Sequence, residues 1–195
     1  MTMPNRQQAY DLLIEFNNSE SLIKHALAVE AVMRYMARKF DEDEEKWGAI
    51  GLVHDLDYEQ FPAQHCQMTE KILREHHWPE DAIHAVVSHG WKLCTDVEPT
   101  HPMENVLYAI DELTGLVTAA VLVRPSKNIA DLTVKSLKKK WKDKAFAAGA
   151  NRDVIREGAE RIGIELPDLF ADVIAGMQDA ASELGLDGSL ASEPV

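Results

Sequence analysis

Hydrophobic residues recur along this chain at the three- and four-residue intervals of amphipathic helices, and no segment alternates convincingly as a half-buried strand would. In the second periodic segment, for instance, apolar residues stand at positions 22, 26, 29, 33, 36 and 40. The pattern predicts helices over residues 5–16, 20–39, 42–54, 65–77, 80–89, 103–123, 130–142, 152–162 and 167–184. We therefore expect an all-α fold, a single compact multi-helix domain over residues 1–184.

Local signals support several of the predicted helix ends. Asp41 and Glu44 have the spacing of a capping box, and Gly90 is a stop signal. Three prolines are expected in first helical turns, namely Pro79, Pro102 and Pro167. Residues 185–195 are rich in Gly, Ser and Asp, which predicts a disordered C-terminal tail.

Several polar side chains interrupt the apolar faces. His25 lies three residues after Leu22 and four before Val29, so it faces inward. Asp111 lies four residues after Leu107, again on the apolar side. A buried imidazole needs a hydrogen-bond partner, and a buried carboxylate must be paired or bind a metal. A single inward histidine is usually satisfied by a backbone carbonyl, but here other histidines share the orientation.

His54 and Asp55 form the most informative pair, because they stand where an apolar segment gives way to acidic and aromatic residues. Neighbouring helical residues point about 100° apart, so both can meet one ion only beside a cavity that other segments complete. His65 opens the next predicted helix and His89 ends the one after it, both on apolar faces. Inward-facing His and Asp residues thus come from several helices.

The succession of these residues resembles that of the HD superfamily, helical metal-dependent phosphohydrolases named for their His-Asp doublet. The residues that carry the resemblance are His25, His54-Asp55, His65, His89 and Asp111. It runs from about residue 20 to 125, and its motifs are the doublet segment 51–58 and the segment 109–113. Residues 57–59, 111–115 and 124–127 are similar to a branch of undefined substrate, so no particular substrate is implied.

The resemblance implies a metal site in the helical core, with four ligands: His25, His54, Asp55 and Asp111. In such proteins His65 and His89 would hold a second ion, with Asp55 bridging. Mixed imidazole and carboxylate ligation suits Mn, Fe, Ni, Co, Zn or Mg without choosing among them. His65 can instead be a solvent-exposed histidine at a helix start, and His89 one that interacts with a helix dipole.

Asp57 and Glu112 are the candidates for acid–base catalysis, because each lies within two residues of an expected ligand. Either can also be an ordinary surface or capping carboxylate. Arg124 and Lys127 are the candidates for phosphate binding, since they open the segment 124–144, which holds eight basic and two acidic residues. The other lysines of that segment fit a solvated helix face.

The overall charge limits the range of partners. The formal net charge is −13, from 20 basic and 33 acidic residues, which disfavours nucleic acid and leaves a small phosphorylated substrate as the expected partner. No apolar run of 18 residues and no signal peptide are recognisable, so we expect a cytoplasmic protein without a membrane segment. A homo-oligomer is compatible with the sequence.

Two further features leave alternatives open. The polar segment 91–100 lies between two expected ligand helices, and either roofs the site or is a plain connector. Cys66 and Cys94 lack metal-type spacing and are read as reduced thiols, although Cys66 stands beside His65.

Three functions follow from these observations. The first is hydrolysis of a phosphomonoester or nucleotide phosphate by a metal-activated water. The second is a di-iron oxygenase, because some HD proteins with the same six-ligand order use oxygen. The third is a regulatory module whose metal site is not catalytic.

Overall fold

The computed structural model describes residues 2–191, and over this range the chain forms ten α-helices and no strand. The helices are α1 (Arg6–Phe16), α2 (Glu20–Phe40), α3 (Glu44–Val53), α4 (Gln67–Glu75), α5 (Glu80–Ser88), α6 (Pro102–Leu122), α7 (Val134–Lys142), α8 (Arg152–Ile162), α9 (Leu166–Asp179) and α10 (Ala181–Leu184). Single 3-10 turns stand at Pro62–Gln64 and Ile129–Asp131. The predicted all-α fold is confirmed.

The helix ends differ from the sequence-based expectations at several positions. Pro79, for example, is the N-cap residue of α5 and not part of its first turn. Asp41 is not part of a capping box, because it ends α2 in the left-handed conformation at φ 58°. The side chain of Asp43 caps α3 instead, accepting hydrogen bonds from the backbone N–H groups of Glu45 and Lys46. The long helix expected over residues 167–184 is interrupted at Ala180, which separates α9 from α10.

Two helices of 21 residues each, α2 and α6, form the centre of the fold. α2 packs against α3, α6 and α9, and α6 also packs against α5 and α8. Gly158 of α8 lies so close to α6 that a Cβ there would stand 2.5 Å from the Cβ of Ala109. Only glycine permits this approach. The contact holds α8 against α6 at Ala109, two residues before Asp111.

α6 is also, within residues 2–191, the one helix long and apolar enough to cross a membrane by length and composition alone. Of its most apolar window, 61% is buried inside the protein. A central helix that other helices cover on several sides also has an apolar composition, because it must be apolar almost all round.

The expectation of a disordered tail is wrong for residues 185–191. Leu186 is buried, with 1% of its surface exposed, and its carbonyl accepts a 2.7 Å hydrogen bond from the backbone N–H of Ile129. The side chain of Asn128 donates to the carbonyl of Asp187 at 3.0 Å. The buried Leu186 side chain and two hydrogen bonds to a distant loop anchor this segment. Residues 192–195 of the expected tail lie outside the described residues.

Candidate metal centre

Side chains from five parts of the fold converge at the centre of the helical domain. His25 projects from α2 and Asp111 from α6, while His54 and Asp55 stand just where α3 ends. His65 precedes α4 and His89 directly follows α5, so helix ends supply most of the set. The structure therefore brings together all six residues that the resemblance suggested as ligands.

One group consists of His25, His54, Asp55 and Asp111. The Nε2 atom of His25 lies 2.9 Å from Asp111 Oδ1, 3.2 Å from His54 Nε2 and 3.7 Å from Asp55 Oδ2. The Nε2 atom of His54 lies 3.3 Å from the same Asp111 oxygen and 3.5 Å from the same Asp55 oxygen. Ligands at about 2.0–2.2 Å from one ion stand roughly 3–3.5 Å apart, so these separations fit a divalent metal.

A second group forms around the other oxygen of Asp55. Its Oδ1 atom lies 3.3 Å from His89 Nε2 and 3.6 Å from His65 Nε2. Asp55 thus directs one carboxylate oxygen to each group. This arrangement permits the carboxylate to bridge two ions, as the resemblance implied.

The outer ring nitrogen of each histidine is held by another group. His54 Nδ1 donates to the carbonyl of Gly51 at 2.8 Å, and His89 Nδ1 donates to the carbonyl of Val86. His65 Nδ1 lies 2.8 Å from Asp57 Oδ1. With Nδ1 as the donor, Nε2 keeps its lone pair for a metal, which is the usual support for a histidine ligand.

His25 receives its support from Thr114. The Thr114 hydroxyl donates to the carbonyl of Asp111 at 2.7 Å, so its oxygen is free to accept from His25 Nδ1 at 3.4 Å. Sequence reasoning did not identify Thr114. The available signal was its position three residues after Asp111, on the same face of α6.

Two buried atoms of the cluster have no hydrogen-bond partner, Asp55 Oδ1 and His89 Nε2. Buried polar atoms are rarely left in this condition, and a metal would satisfy both. The pKa values of the buried carboxylates and histidines also depend on one another. Burial alone would raise the pKa of Asp111, but His25 and His54 hold it well below its ordinary value. Burial alone would lower the pKa of His89, but the neighbouring Asp55 raises it to about 10.

A cavity of about 500 Å³ opens onto this cluster, and we call it the metal-site cavity. Besides five of the six ligand residues, its wall consists of Leu22, Tyr58, Gly90, Leu93, Cys94, Glu112, Gly115, Ala147, Gly149 and Ala150. Part of the segment 91–100 therefore lines the site. Within residues 2–191, no lysine or arginine belongs to this wall.

The two acid–base candidates occupy different environments. Glu112 lines the metal-site cavity, and burial together with the charge of Asp111 raises its pKa. Asp57 is fully buried and does not reach the cavity. Its carboxylate accepts from Thr69 N–H at 2.9 Å and contacts His65, so its position supports a role in holding His65 and not the expected role as a catalytic acid or base. The chain turns after His54, and that turn directs Asp57 inward.

Neither Arg124 nor Lys127 lies in the wall of the metal-site cavity, so the structure does not place them where the expected phosphate-binding residues should be. Asp111 and Arg124 are separated by 13 residues along a continuous helix and its end, or about 20 Å at 1.5 Å per residue. The guanidinium of Arg124 donates to Ser136 Oγ at 3.1 Å and to the carbonyl of Asp131 at 2.7 Å. It therefore stabilises the connection to α7.

A loop that sequence reasoning did not associate with the site forms part of the cavity wall. It runs over residues 143–151 and contributes Ala147, Gly149 and Ala150. The five N–H groups of the Arg152 guanidinium donate to five carbonyls around this loop, those of Trp141, Asp143, Phe146, Ala147 and Ala150. Arg152 thus determines the shape of this wall without touching the cavity.

The two cysteines lie next to the second ligand group. The Sγ atoms of Cys66 and Cys94 are 3.1 Å apart, and both residues are free thiols. Cys66 Sγ stands within 4.8 Å of ligand atoms of His65 and His89, so a sulfur donor is also in reach there. The two sulfurs also surround Gly90, where a Cβ would lie 2.4 Å from Cys94 Sγ.

Comparison with known proteins gives two matches. A family model described as HD domain matches residues 22–116, a range that includes all six candidate ligands. Ribonuclease Y of Oleidesulfovibrio alaskensis is 24% identical over 143 residues, which are 70% of this chain. The match covers 27% of that protein, so the chain spans about a quarter of the length of this curated relative. No solved structure gives a significant match.

Proposed function

Because the chain belongs to the HD superfamily of metal-dependent phosphohydrolases, we propose that it is a metal-dependent hydrolase of a phosphomonoester or nucleotide phosphate. The observation that carries the proposal is the pair of buried, unpartnered atoms, Asp55 Oδ1 and His89 Nε2, among six converging donors. They adjoin a cavity large enough for a small substrate.

His25, His54, Asp55 and Asp111 would hold the first ion, and His65 and His89 would hold a second. When bound, a divalent ion at this place supplies a water of lowered pKa and polarises a phosphoryl oxygen. Glu112 is the carboxylate of the cavity wall that is not in the ligand set. We assign to it the transfer of a proton between the water and the leaving alkoxide.

The name of the relative Ribonuclease Y denotes an enzyme that acts on RNA, and that activity is a competing proposal for this chain. Two observations favour a small substrate instead. The wall of the metal-site cavity has no basic side chain among the described residues, and the formal net charge of the chain is −13. A polyanion would find few phosphate contacts beside the ligand cluster.

A di-iron oxygenase is the second candidate. The observation that favours it is the division of the cluster into two groups, with Asp55 directing one oxygen to each. A non-catalytic regulatory module is the third, and the retention of all six donors in one place argues against it.

Metal content and turnover together test these proposals. The untagged full chain is analysed by plasma mass spectrometry, then reloaded with each candidate divalent ion and assayed against phosphomonoesters, nucleotides and an RNA oligonucleotide. We expect one or two equivalents of metal and release of inorganic phosphate from small esters. Background turnover of every ester with every metal would falsify the hydrolase. Two equivalents of iron with oxygen consumption would replace it by the oxygenase, and cleavage of RNA alone would replace the small substrate.

A further inference from the structure

A second cavity of about 350 Å³ adjoins the metal-site cavity, and the two share His25 and Gly115 in their walls. We call the second one the apolar pocket. Its wall consists of Leu122, Leu184, Leu186, Leu190, Ala119, Thr118, Ser21 and Lys24 besides the two shared residues. A ligand at the metal centre therefore lies beside a mostly hydrocarbon environment.

Gly115 stands on the boundary between the two cavities. It lies in the interior of α6, four residues after Asp111, so it faces the same side of the helix as that ligand. A Cβ at Gly115 would meet nothing within 4 Å, in contrast to Gly158, which abuts α6. Glycine inside a helix is less favourable than alanine. Packing does not require this glycine, but an unobstructed passage over the helix does.

The far side of the apolar pocket is a built wall. Leu184 and Leu186 are buried, and the hydrogen bonds from Ile129 and Asn128 fix the segment that carries them. Leu122 and Leu190 complete the wall with 42% and 48% of their surface exposed. Large apolar side chains that remain this exposed around a concavity are typical of a binding site.

The distribution of charge restricts what can occupy both cavities. The described wall of the metal-site cavity offers no lysine or arginine to a chain of phosphates. Lys24, which pairs with Glu20 at 2.6 Å, is the single lysine or arginine in the described walls of the two cavities. One phosphate group at the metal centre, followed by an uncharged apolar group, matches this distribution better than a polyphosphate does.

We propose that the substrate is the phosphomonoester of an apolar alcohol, whose hydrocarbon part crosses Gly115 and lies in the apolar pocket. This inference rests on the proposed hydrolase function. In the reaction a water oxygen bonds to phosphorus as the bond from phosphorus to the alcohol oxygen breaks. A proton of that water goes to the leaving alkoxide by way of Glu112, so the products are the free alcohol and inorganic phosphate.

The test uses n-alkyl phosphates from ethyl to octyl phosphate with the metal-loaded full chain. Phosphate release gives kcat/KM, and titration calorimetry gives Kd for the same compounds. In the wild-type protein we expect both to improve by roughly fourfold per added methylene until the pocket is filled, from the usual free energy of burying a CH₂ group. In Gly115→Leu, which obstructs the passage, and in Leu122→Ser, which removes part of the wall, this dependence on chain length should become flat.

Val123→Ser is the matched control. Val123 follows Leu122 directly and is 58% exposed, but it does not line the pocket, so its variant should keep the wild-type dependence on chain length. A flat series in the wild-type protein, with ethyl phosphate still hydrolysed, overturns the apolar subsite and leaves the hydrolase intact. Background turnover of every ester overturns the hydrolase, and the calorimetric series then decides the subsite by itself. A third outcome also overturns the inference. If the wild-type protein is a dimer, if Leu122→Ser dissociates it, and if the wild-type series shows no dependence on chain length, the apolar pocket binds a second copy of this chain.

Discussion

Two clusters of charged side chains, one around Glu30 and one around His25, include residues of α2, and they differ in how their charge is balanced. Glu30, only 3% exposed, accepts two hydrogen bonds from Arg6 at 2.7 and 3.0 Å and one from Arg34 at 2.9 Å. Arg34 in turn donates to both oxygens of Glu45. Every charge in this group, which we call the Glu30 cluster, has a partner of opposite charge within the protein.

In the metal-centre cluster, by contrast, not every buried polar group has a partner within the protein. Asp55 and Asp111 face imidazole nitrogens whose outer ring positions are already occupied, and Asp55 Oδ1 and His89 Nε2 have no hydrogen-bond partner. A buried polar cluster that satisfies itself stabilises the fold, whereas one that remains unsatisfied needs a ligand. The two clusters should therefore respond in opposite ways to substitution, one in stability and the other in activity.

The largest expected effect is that of Asp55→Ala on turnover. Because Asp55 contributes an oxygen to each ligand group, its loss should lower kcat/KM by at least about a thousandfold, the equivalent of several kcal/mol of metal-dependent stabilisation. Phosphate release measures the rate, and far-ultraviolet circular dichroism should show an unchanged helix content. A variant that keeps its activity refutes the assignment of the site.

Glu30→Ala should act on stability instead. It leaves Arg6 and the largely buried Arg34 without their shared carboxylate, which should lower the free energy of unfolding by about 3 kcal/mol. The urea midpoint measures this loss, and turnover per folded molecule should change by less than about twofold. Glu45→Ala is the control, because its side chain is 68% exposed and its pair is worth at most about 1 kcal/mol. Equal losses in the two variants would contradict the contrast.

Asp57→Asn connects the two behaviours, since this residue is itself fully satisfied but supports the ligand His65. Both of its neighbours, His65 Nδ1–H and Thr69 N–H, donate to it. An amide NH₂ would face one of these donors, so we expect affinity for one of two metal equivalents to fall by about 10- to 100-fold. Competition with a chelator measures this affinity. Exposed Asp96→Asn is the control, and an unchanged affinity for both equivalents would contradict the support that Asp57 gives to a metal ligand.

The smallest effect concerns Glu104, another satisfied carboxylate, which accepts from the N–H groups of Thr100 and His101 at 2.6 and 2.9 Å. Burial raises the pKa of Glu104, but these hydrogen bonds and His84 together lower it by more. The pKa in the folded protein therefore lies below the usual 4.5. The stabilisation is therefore present above about pH 4.5 and is lost as pH falls through the folded pKa. Glu104→Gln should cost about 1 kcal/mol at neutral pH. Urea unfolding at several pH values should show this difference shrink in acid, and a constant difference would disprove the linkage.

The helices and most of the metal centre could be predicted from the sequence because both depend on local periodicity. His25 and Asp111 reveal their inward orientation through neighbours three and four residues away. Asp57 could not be placed in the same way, because the helical pattern ends at His54 and the direction of a side chain in a turn is not periodic. Its fully buried position depends on the contact with Thr69.

The remaining errors concern distances through space. Arg124 follows the Asp111 helix in the sequence, but a helix of that length carries it about 20 Å away. The order of residues 185–191 depends on contacts with Asn128 and Ile129, nearly 60 residues earlier. No local pattern contains such a contact, and it is these contacts that create the apolar pocket.

The hydrogen bonds from Arg152 to the backbone around residues 143–151 affect how the shape of the metal-site cavity can change. Five carbonyls that converge on one planar cation join the end of α7 and this loop into a single cooperative unit, in addition to backbone hydrogen bonds within the loop such as that from Phe146 N–H to the Asp143 carbonyl. Substitutions at the exposed positions of the loop should therefore leave its course intact, whereas loss of the guanidinium should release all five carbonyls together. The shape of the cavity wall formed by this loop therefore depends on Arg152, a single residue that does not itself line the cavity.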